Sequence, residues 1–445
     1  MTGGVAVLDI GKTNIKVLAF DAAGAVVSER SRPNAPLPPD ADQPWLRLDL
    51  EGVWTFLLDA LREIRPVERV SISTHGAAGV LIDEDGRVAA MDYEWDGFDP
   101  AYDALRPTFA ETLSPALPRG LNLGRQLFHL TRNARAPKAF LTYPQYWAWR
   151  LSGVMASEAT SLGCHTDLWD PQMGDFSSLV ARMGWRPLFP PVRRAWETLG
   201  ALRPEIAAAT GLSANTQVLT GAHDTNAAIA PYLAAQQEPF TLVSTGTWVV
   251  VMAVGGQGAL DSNADMLANV DVRGDPLPCA RFMGGREFAA LAGENPPEPD
   301  AADVAALVAA DVCALPAFSD QGGPFASRTG RVEGAVPQTP RARAALATLY
   351  SGLMTAYLID RLEAPGEIVV EGGFARHGAF AAVLAALLPG RRVSVAASVS
   401  GAAEGAACLA RWGEAAAPPR VAPAPIWTIP GLETYRARWR VSAEE

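Results

Sequence analysis

The sequence predicts an α/β protein built from two related domains. Near the N-terminus, two short apolar runs, Val5–Ile10 and Ile15–Phe20, flank a small polar turn, which is typical of a β-hairpin. The same strand–turn–strand pattern returns about half a chain later, in residues 240–254. Towards the C-terminus, strand-like runs alternate with alanine-rich helical stretches, as expected of α/β domains. A hairpin repeated at this distance indicates two related domains.

The composition is that of a folded chain with room for two or three domains. Its 445 residues are 49% hydrophobic and 19% charged, which excludes a disordered protein. No run approaches about 18 uninterrupted apolar residues, so we expect no membrane span. A net charge of −11 argues against a nucleic-acid partner, which would need a basic face. The separated cysteines and the absence of a secretory signal pattern predict a cytoplasmic protein.

The first turn contains Gly11, Lys12 and Thr13, and it follows Asp9 at the end of the first strand. Gly-Lys-Thr also ends a Walker A loop, but that motif needs a glycine where Ala6 stands and a helix afterwards, so we reject a P-loop. Glycine, exposed amides and hydroxyls in a hairpin turn can still bind phosphate. The carboxylate could hold a hydrated Mg²⁺. The alternative is an ordinary turn with surface lysines.

The second turn contains Thr245, Gly246 and Thr247. Aligning the two hairpins places Gly246 on Gly11, Ser244 on Asp9 and Thr247 on Lys12, so each hairpin has a small polar turn with one glycine. If the turns face each other across a cleft, both can bind one polyphosphate. Two unrelated hairpins are the alternative.

Asp224 lies where an apolar run meets a helix rich in small residues, within Gly221–Ala230. Ligands of α/β proteins gather at such strand ends. The carboxylate could be a helix N-cap, which is a common role of aspartate. It could instead be a general base that accepts a hydroxyl proton during phosphoryl transfer. Taken alone, the residues leave both roles open, and the neighbouring His223 is interpreted as structural.

A strand–glycine–glycine turn lies near the C-terminus. The buried-type strand Glu367–Glu371 ends at Gly372 and Gly373, and a long Ala/Leu helix begins at Gly378. Such a turn lets a flat base or a ribose approach the backbone. A Gly-Gly pair alone usually marks no more than a turn.

Together these segments resemble the FGGY carbohydrate kinases. DIGKTNIKVLAFD resembles the first phosphate motif of that family, and GAHDTNAA resembles the segment with its catalytic aspartate. STGTW resembles the second phosphate motif, and VVEGGFARH with GAAEGAA resembles the adenosine motif. The order and spacing match over nearly the whole chain. The resemblance implies two actin-like, ribonuclease-H-like α/β domains flanking a central cleft, and we place them at residues 1–211 and 212–445.

The resemblance also implies ATP and Mg²⁺ as cofactors and assigns site residues. Asp224 is the implied general base, and Asp9 and Asp224 are the carboxylates near a Mg²⁺ held through water. Lys12 stands where the family usually has Thr or Ser. The residues implied to bind ATP and its phosphates are Asp9, Gly11, Lys12, Thr13, Lys16, Thr245, Gly246, Thr247, Gly372, Gly373, Arg376 and His377.

The sugar side is expected in the first domain. His75 ends a strand that resembles the substrate strand of the family, where some members carry a sugar-binding histidine; without that likeness, a core histidine would be the better interpretation. Tyr93, Glu94 and Asp96 crowd one loop, and aromatic faces with carboxylates suit a sugar. A solvated acidic loop is the alternative. Besides Asp224, the weaker candidates for sugar binding are Gln126, Tyr146, His165 and Asp167.

Residues 160–167 show the alternation of a strand. We therefore expect Cys164 and His165 to point to opposite faces and not to form a nucleophilic pair. No His/Cys cluster has the spacing of a metal site.

These assignments predict a kinase that transfers the γ-phosphoryl group of MgATP to a sugar hydroxyl. The His-Asp-Thr and Ser-Thr-Gly-Thr-Trp segments resemble the rhamnulokinase and fuculokinase branch, whose substrates are 6-deoxyketoses of the L-rhamnulose or L-fuculose type. His75 resembles the xylulokinase branch, so xylulose, ribulose and polyol kinases are alternatives. A non-catalytic sugar or nucleotide sensor of the same fold and an actin- or chaperone-like ATPase are alternatives of other classes. The expected partners are a small sugar and ATP, and the resemblance suggests a homodimer as one assembly.

Overall fold

The computed structural model describes residues 3–64, 67–235, 239–320, 322–376, 378–397, 401–414 and 419–445. The chain divides into two compact units. Unit 1 comprises Met1–Ala235, Ala268–Pro276 and Ser400–Pro418, and unit 2 comprises Gln236–Leu267, Leu277–Val399 and Pro419–Glu445. Residues 212–235, which the sequence analysis assigned to the second domain, lie in unit 1 of this division. The domain boundary near residue 211 stays a prediction.

Most strands are short and alternate with helices. In chain order they are β1 (Val5–Ile10), β2 (Asn14–Phe20), β3 (Val26–Pro33), β4 (Arg69–Thr74), β5 (Gly79–Asp83), β6 (Val88–Ala90), β7 (Pro137–Thr142), β8 (Ser157–Glu158), β9 (Trp169–Asp170), β10 (Asp175–Phe176), β11 (Val192–Arg193), β12 (Thr198–Ala201), β13 (Gln217–Leu219), β14 (Ala222–His223), β15 (Phe240–Thr245), β16 (Val249–Val254), β17 (Met266–Val270), β18 (Pro276–Phe282), β19 (Cys313–Leu315), β20 (Arg331–Glu333), β21 (Glu367–Gly372), β22 (Val393–Ala396) and β23 (Val421–Pro423).

Helices of four to twenty-two residues connect and cover these strands. They are α1 (Leu50–Glu63), α2 (Phe109–Thr112), α3 (Leu123–Asn133), α4 (Tyr143–Ser152), α5 (Ala159–Leu162), α6 (Ser178–Arg182), α7 (Pro204–Thr210), α8 (Asp224–Ala235), α9 (Gly284–Ala292), α10 (Ala301–Ala309), α11 (Pro340–Arg361), α12 (Gly378–Leu387), α13 (Gly401–Leu409) and α14 (Leu432–Glu444). Within the described part of the chain, none of the helices has the length and apolar character that crossing a membrane requires.

The main sheet of unit 1 has the strand order β12-β13-β4-β1-β2-β3, and β14 also pairs with β4. The predicted first hairpin is confirmed, because β1 and β2 pair antiparallel in full register. Both faces of β1 are buried: Leu8 and Ile10 belong to one apolar cluster, and Val5 and Val7 belong to another with residues of α13. Burial on both faces explains why this strand is a continuous apolar run.

The second sheet has the order β17-β18-β16-β15-β21-β22-β23. The predicted hairpin of residues 240–254 is confirmed as the antiparallel pair β15–β16, and β15 also pairs in parallel with β21. Unit 1 has the same arrangement, in which β1 pairs antiparallel with β2 and in parallel with β4. The repeated pattern read from the sequence therefore corresponds to a repeated local topology.

Helix α13 returns to unit 1 and packs closely on α8. A Cβ atom at Gly405 would lie 1.8 Å from the carbonyl oxygen of Ala227, so only glycine allows this approach of the two backbones. The contact fixes α8, whose first residue is Asp224.

The strand predicted for residues 160–167 is wrong. Ala159–Leu162 is a short helix, because the Glu158 carboxylate accepts hydrogen bonds from the backbone N–H groups of Thr160 (2.9 Å) and Ser161 (3.0 Å) and caps its N-terminus. His165 and Asp167 then adopt left-handed backbone conformations, with φ of 44° and 67°. The predicted opposite orientation of Cys164 and His165 therefore has no basis in strand geometry.

Candidate active site

Asp224 lies at the junction of β14 and α8, as the sequence predicted. Because β14 runs parallel to β4, with His223 opposite Thr74, Asp224 comes level with the residue that follows β4, which is His75. The Asp224 side chain is 30% exposed, so it is accessible to a ligand. The topology thus brings the predicted base and the predicted sugar-binding histidine to the same sheet end.

One oxygen of the Asp224 carboxylate has three polar neighbours. Oδ1 accepts a hydrogen bond from the Thr225 backbone N–H (2.6 Å) and one from the Thr225 hydroxyl (3.2 Å), and it lies 3.2 Å from His223 Nε2. No hydrogen bond to Oδ2 occurs among the described residues. Sequence reasoning missed Thr225 and the contact with His223, since neither forms a motif of its own.

Asp9 shares the electrostatic environment of Asp224. Burial raises the pKa of Asp9 to about 7, the negative charge of Asp224 raises it as well, and Lys16 opposes both effects. Lys16 lies opposite Asp9 in the hairpin register, and Ser73 lies beside Asp9 on β4. The Ser73 hydroxyl is buried and has no hydrogen-bond partner within the described ranges. Sequence reasoning had not singled out this serine.

Lys12 reaches from the first turn to the loop of residues 92–94. Its Nζ donates a hydrogen bond to Asp92 Oδ2, lies 3.3 Å from Glu94 Oε2, and lies 4.3 Å from the centre of the Tyr93 ring. The Asp92 side chain is only 2% exposed, so its charge needs this partner. The structure therefore places Lys12 on the predicted sugar loop, and its contact with phosphate stays a prediction.

His75 is buried, and its two ring nitrogens differ. Nδ1 lies 2.9 Å from the carbonyl oxygen of Gly76; because a carbonyl only accepts, Nδ1 carries the hydrogen. Burial lowers the pKa of His75, which favours the neutral ring. Nε2 is buried and has no partner in the described part of the chain. Tyr93 and Tyr143 flank the ring, with centroids at 6.3 Å and 5.2 Å. Nε2 is therefore an acceptor available to a hydroxyl group.

Other predicted sugar-side residues lie in two different settings. Glu94 and Asp96 are exposed. Gln126 is fully buried, and its Nε2 donates to the carbonyl oxygens of Ala77 and Gly120, both at 2.7 Å. Gln126 therefore links two loops of the predicted sugar side. One contains Ala77 and follows His75 in the chain, and the other contains Gly120, whose backbone N–H contacts the Tyr93 carbonyl oxygen.

The other three weaker candidates, Tyr146, His165 and Asp167, make polar contacts within the protein. The Tyr146 hydroxyl accepts a hydrogen bond from Arg150, and Asp167 binds Arg106 through two hydrogen bonds of 2.8 Å. His165 Nδ1 lies 3.0 Å from the carbonyl oxygen of Leu121. None of these contacts points to a ligand.

The first turn is held by its own backbone. The Gly11 N–H donates to the Asn14 carbonyl oxygen (2.9 Å), and the Asn34 side-chain amide donates to the Gly11 carbonyl oxygen (2.8 Å). Thr13 is exposed, and Lys16 lies 3.9 Å from Glu29. The exposed side of this turn is the part that a phosphate could approach.

In unit 2, the Thr245 hydroxyl links the second turn to the glycine turn. It donates a hydrogen bond to the Glu371 carbonyl oxygen and accepts one from the Phe374 N–H at 2.9 Å. Gly246 and Thr247 are exposed. The Thr245 side chain therefore holds the two turns together, while Gly246 and Thr247, the next two residues, are accessible to a ligand.

Gly372 has a conformation that requires glycine. Its φ is +86°, and a Cβ atom there would lie 2.1 Å from the backbone oxygen of Thr245. At Gly373 the same oxygen would be 3.7 Å away. Arg376 is exposed at the end of a short 3₁₀ helix, Gly373–Arg376, and His377 lies outside the described residues. The structure thus joins Thr245 to the Gly-Gly turn, a contact that the sequence motifs alone do not show.

The acidic pair of unit 1 fits a hydrated Mg²⁺. Asp9 and Asp224 lie close enough for the charge of Asp224 to raise the pKa of Asp9, so a divalent cation would offset their repulsion. Mg²⁺ commonly takes one or two carboxylates and completes its shell with water and phosphate. Among the described residues there is no group of three or more His, Cys, Asp or Glu that could hold a metal ion.

The chain is similar to known proteins over its whole length. A carbohydrate kinase from Novosphingobium aromaticivorans has a structure with a TM-score of 0.90 and 36% sequence identity, covering 100% of this chain and 99% of that one. The chain belongs to the FGGY family of carbohydrate kinases, whose members are phosphotransferases. The profile of the N-terminal FGGY domain matches residues 129–230, and the profile of the C-terminal domain matches residues 237–418.

Further FGGY relatives agree with this membership. An L-fuculokinase of Escherichia coli (strain K12) is 26% identical over 274 residues, which cover 57% of this chain and 57% of that protein. The match therefore spans little more than half the length of this curated relative. A ligand-bound xylulose kinase from Lactobacillus acidophilus shares the fold, with a TM-score of 0.79 at 15% identity. The predicted fold class, two actin-like α/β domains, is confirmed, and the structure shows that the main sheet of each unit is mixed.

Proposed function

We propose that this FGGY protein phosphorylates a ketose with MgATP, and that its substrate is a 6-deoxyketose of the L-fuculose or L-rhamnulose type. The observation that carries the proposal is the pairing, at one sheet end, of two unsatisfied acceptors. Asp224 Oδ2 accepts no hydrogen bond in the described part of the chain, and His75 Nε2 is buried without a partner there. Two acceptors of this kind suit hydroxyl groups, which donate.

In the proposed mechanism, the residues of the site contact the sugar hydroxyls, the hydrated metal ion or the phosphate oxygens. Asp224 accepts the proton of the attacking hydroxyl, and neutral His75 accepts a hydrogen bond from a second hydroxyl and so orients the sugar. Asp9 would hold the hydrated metal together with Asp224. When bound, MgATP supplies the phosphoryl group and the positive charge that this transfer needs. The Gly246 N–H closes the turn by donating to the Trp248 carbonyl oxygen (2.8 Å), so the exposed Thr247 beside it would supply its backbone N–H and hydroxyl to phosphate oxygens.

The substrate class rests on sequence likeness and on the charge of the site. The fuculokinase relative is named for a 6-deoxyketose, and the His-Asp-Thr segment points the same way. In unit 1, five carboxylates lie around two ammonium groups, those of Lys12 and Lys16, and His75 is favoured neutral. A net negative sugar site favours a neutral sugar over a sugar acid. Xylulose, ribulose and polyols are neutral too and are the alternatives within the class.

A coupled assay of ADP release tests the proposal across L-fuculose, L-rhamnulose, xylulose, ribulose, glycerol and gluconate. We expect the highest kcat/KM with one of the two 6-deoxyketoses and the lowest with gluconate. ADP release without any sugar would favour an ATPase. Sugar binding by calorimetry without ADP release on any compound would favour a sensor. A preference for a pentulose or a polyol would overturn the deoxyketose assignment and leave the kinase intact.

Lys12→Met tests the sugar loop. We expect the KM for the sugar to rise at least about tenfold, because Asp92 loses its buried partner, while the KM for ATP changes less. The free energy of unfolding should fall by about 1–3 kcal/mol, between the values for exposed and buried ion pairs. Lys138→Met is the matched control, since Lys138 is exposed and lies outside the site. A larger effect on the KM for ATP would instead assign Lys12 to phosphate, as the motif predicts.

The remaining assignments are proposals of the same kind. ATP and Mg²⁺ are the proposed cofactors, and the ATP-binding roles of Arg376 and His377 rest on the motif alone. The cytoplasmic location and the homodimer stay predictions. Size-exclusion chromatography with light scattering measures the assembly directly.

A further inference from the structure

The buried Thr160 contacts the chain on both sides of Asp224. Its hydroxyl accepts a hydrogen bond from the His223 backbone N–H at 3.1 Å, and its carbonyl oxygen accepts one from the Asn226 side-chain amide at 3.2 Å. We infer that Thr160 is a positioning residue that fixes the turn between β14 and α8, and with it the Asp224 carboxylate. Its effect on turnover rests on the proposed kinase function. The sequence had placed residue 160 in a strand and given it no role.

Thr160 is itself held by Glu158, which is also buried. The Thr160 backbone N–H donates to Glu158 Oε1 at 2.9 Å, and the Thr160 hydroxyl donates to Oε2 at 2.6 Å. A hydroxyl has one hydrogen and two lone pairs, so it can donate to the carboxylate and accept from the His223 N–H at the same time. Burial raises the pKa of Glu158 to about 7, and the donors of Thr160 and Ser161 oppose this shift. The tests below are therefore made at about pH 8, where the ionised carboxylate predominates.

Asn226 holds the same turn from the helix side. Its buried side-chain amide donates to the Thr160 carbonyl oxygen and, at 2.8 Å, to the Val270 carbonyl oxygen. Helix α5 also packs on Val270, because a Cβ atom at Gly163, its C-cap, would lie 2.2 Å from Val270 Cγ2. Asn226 lies in the first turn of α8, so the start of this helix cannot move without breaking both hydrogen bonds. Asp224 therefore lies between two anchored residues.

The loss of the Thr160 hydroxyl would leave the His223 N–H as a buried donor without a partner. Such a donor is costly, so we expect the turn to shift until the N–H meets another acceptor or water. A misplacement of about 1 Å in a reacting group can lower turnover about 100-fold. The residues of unit 2 proposed to bind ATP take no part in these hydrogen bonds, so the KM for ATP should not follow kcat.

The matched substitutions are Thr160→Val and Ser161→Ala. Valine has nearly the shape of threonine but neither donates nor accepts. The Ser161 hydroxyl donates to the same Glu158 Oε2 at 3.2 Å and makes no hydrogen bond to His223 or Asn226 among the described residues, so Ser161→Ala leaves the turn anchored. We expect Thr160→Val to lower kcat about 10- to 100-fold with the KM for ATP within about threefold, and Ser161→Ala to keep kcat within about threefold of the wild type.

A conservative variant and a second site complete the kinetic test. Thr160→Ser keeps the hydroxyl and should recover kcat to within about threefold of the wild type. Asn226→Ala releases the turn from the helix side and should show the same fall in kcat, even if Thr160→Val does not fold. Equal losses of kcat in Thr160→Val and Ser161→Ala at similar melting temperatures would overturn the inference. A Thr160→Ser variant as slow as Thr160→Val would overturn it too.

Hydrogen–deuterium exchange, followed by mass spectrometry, gives a readout that does not need turnover. We expect peptides that cover residues 222–226 to exchange at least about tenfold faster in Thr160→Val, and no faster in Ser161→Ala, because only the first variant takes the acceptor from the His223 N–H. Unchanged exchange in Thr160→Val would overturn the inference even in an active kinase. If the wild type releases ADP with none of the sugars, while Thr160→Val still speeds this exchange, the result counts against the proposed function alone and supports the anchoring of the turn.

Discussion

Asp224→Ala is expected to lower kcat by at least about 100-fold, the usual scale for removing an acid–base group, while binding of ATP and sugar persists. The substitution removes Oδ2, which accepts no hydrogen bond among the described residues and which we propose takes up the proton of the attacking hydroxyl. His75, which we propose orients the sugar, and the residues of unit 2 proposed to bind ATP are unchanged. Steady-state kinetics and calorimetric binding of each substrate measure the two effects separately.

If Asp224 is instead only a helix cap, a different result is expected for Asp224→Ala. Loss of a cap costs about 1 kcal/mol of stability and leaves turnover close to normal. Asp224→Asn separates the two roles, because asparagine caps helices as well as aspartate does but cannot take up the proton. Strong loss of kcat in Asp224→Asn with an unchanged melting temperature supports the base. Near-normal turnover in either variant would contradict it.

The two hairpins could be predicted because their signals are local. Each strand is a mostly apolar and mostly buried run, and each turn is short and polar and contains one glycine. The junction at Asp224 was equally visible, since an apolar run meets a helix of small residues there. Local alternation and turn chemistry therefore sufficed for the elements that position the site.

The segment of residues 160–167 shows where such local reasoning fails. Eight residues of alternating character fit a strand, but one carboxylate, Glu158, satisfies the first N–H groups and starts a helix instead. The return of α13 to unit 1 was also invisible in the sequence, because it depends on the close approach of Gly405 to α8. Both outcomes depend on the contacts of single residues, Glu158 and Gly405, which hydrophobic periodicity does not reveal.

Contacts distant in sequence set the detailed roles in the site. Lys12 was assigned to phosphate from its motif, yet its ammonium group lies on Asp92, which is 80 positions away. His223 could have been suspected near Asp224, since the residues are adjacent, but the contact of its ring with Cys164 joins residues 59 positions apart. The motifs therefore identified the candidate residues, whereas their contact partners could be seen only in the folded structure.

Gly372→Ala is expected to destabilise unit 2 by about 2–4 kcal/mol. The alanine would have to adopt a left-handed backbone conformation, and its Cβ atom would overlap backbone atoms. The φ of +86° is unfavourable for alanine, and its Cβ would lie 2.1 Å from the Thr245 oxygen, so the β15–β21 pairing must open there. The Thr245 hydroxyl holds this same turn through Glu371 and Phe374, so any protein that still folds should show a raised KM for ATP.

Gly373→Ala is the matched control for this substitution. Its Cβ would lie 3.7 Å from the same oxygen, and its backbone is not left-handed, so we expect a change in unfolding free energy within about 0.5 kcal/mol. Urea denaturation of both variants measures the difference, and kinetics on the folded fraction give the KM for ATP. Equal stability of the two variants would mean that the turn relaxes without cost. If Gly372→Ala is destabilised but its KM for ATP is unchanged, this turn does not take part in nucleotide binding. Its contact with Thr245 would then matter for stability alone.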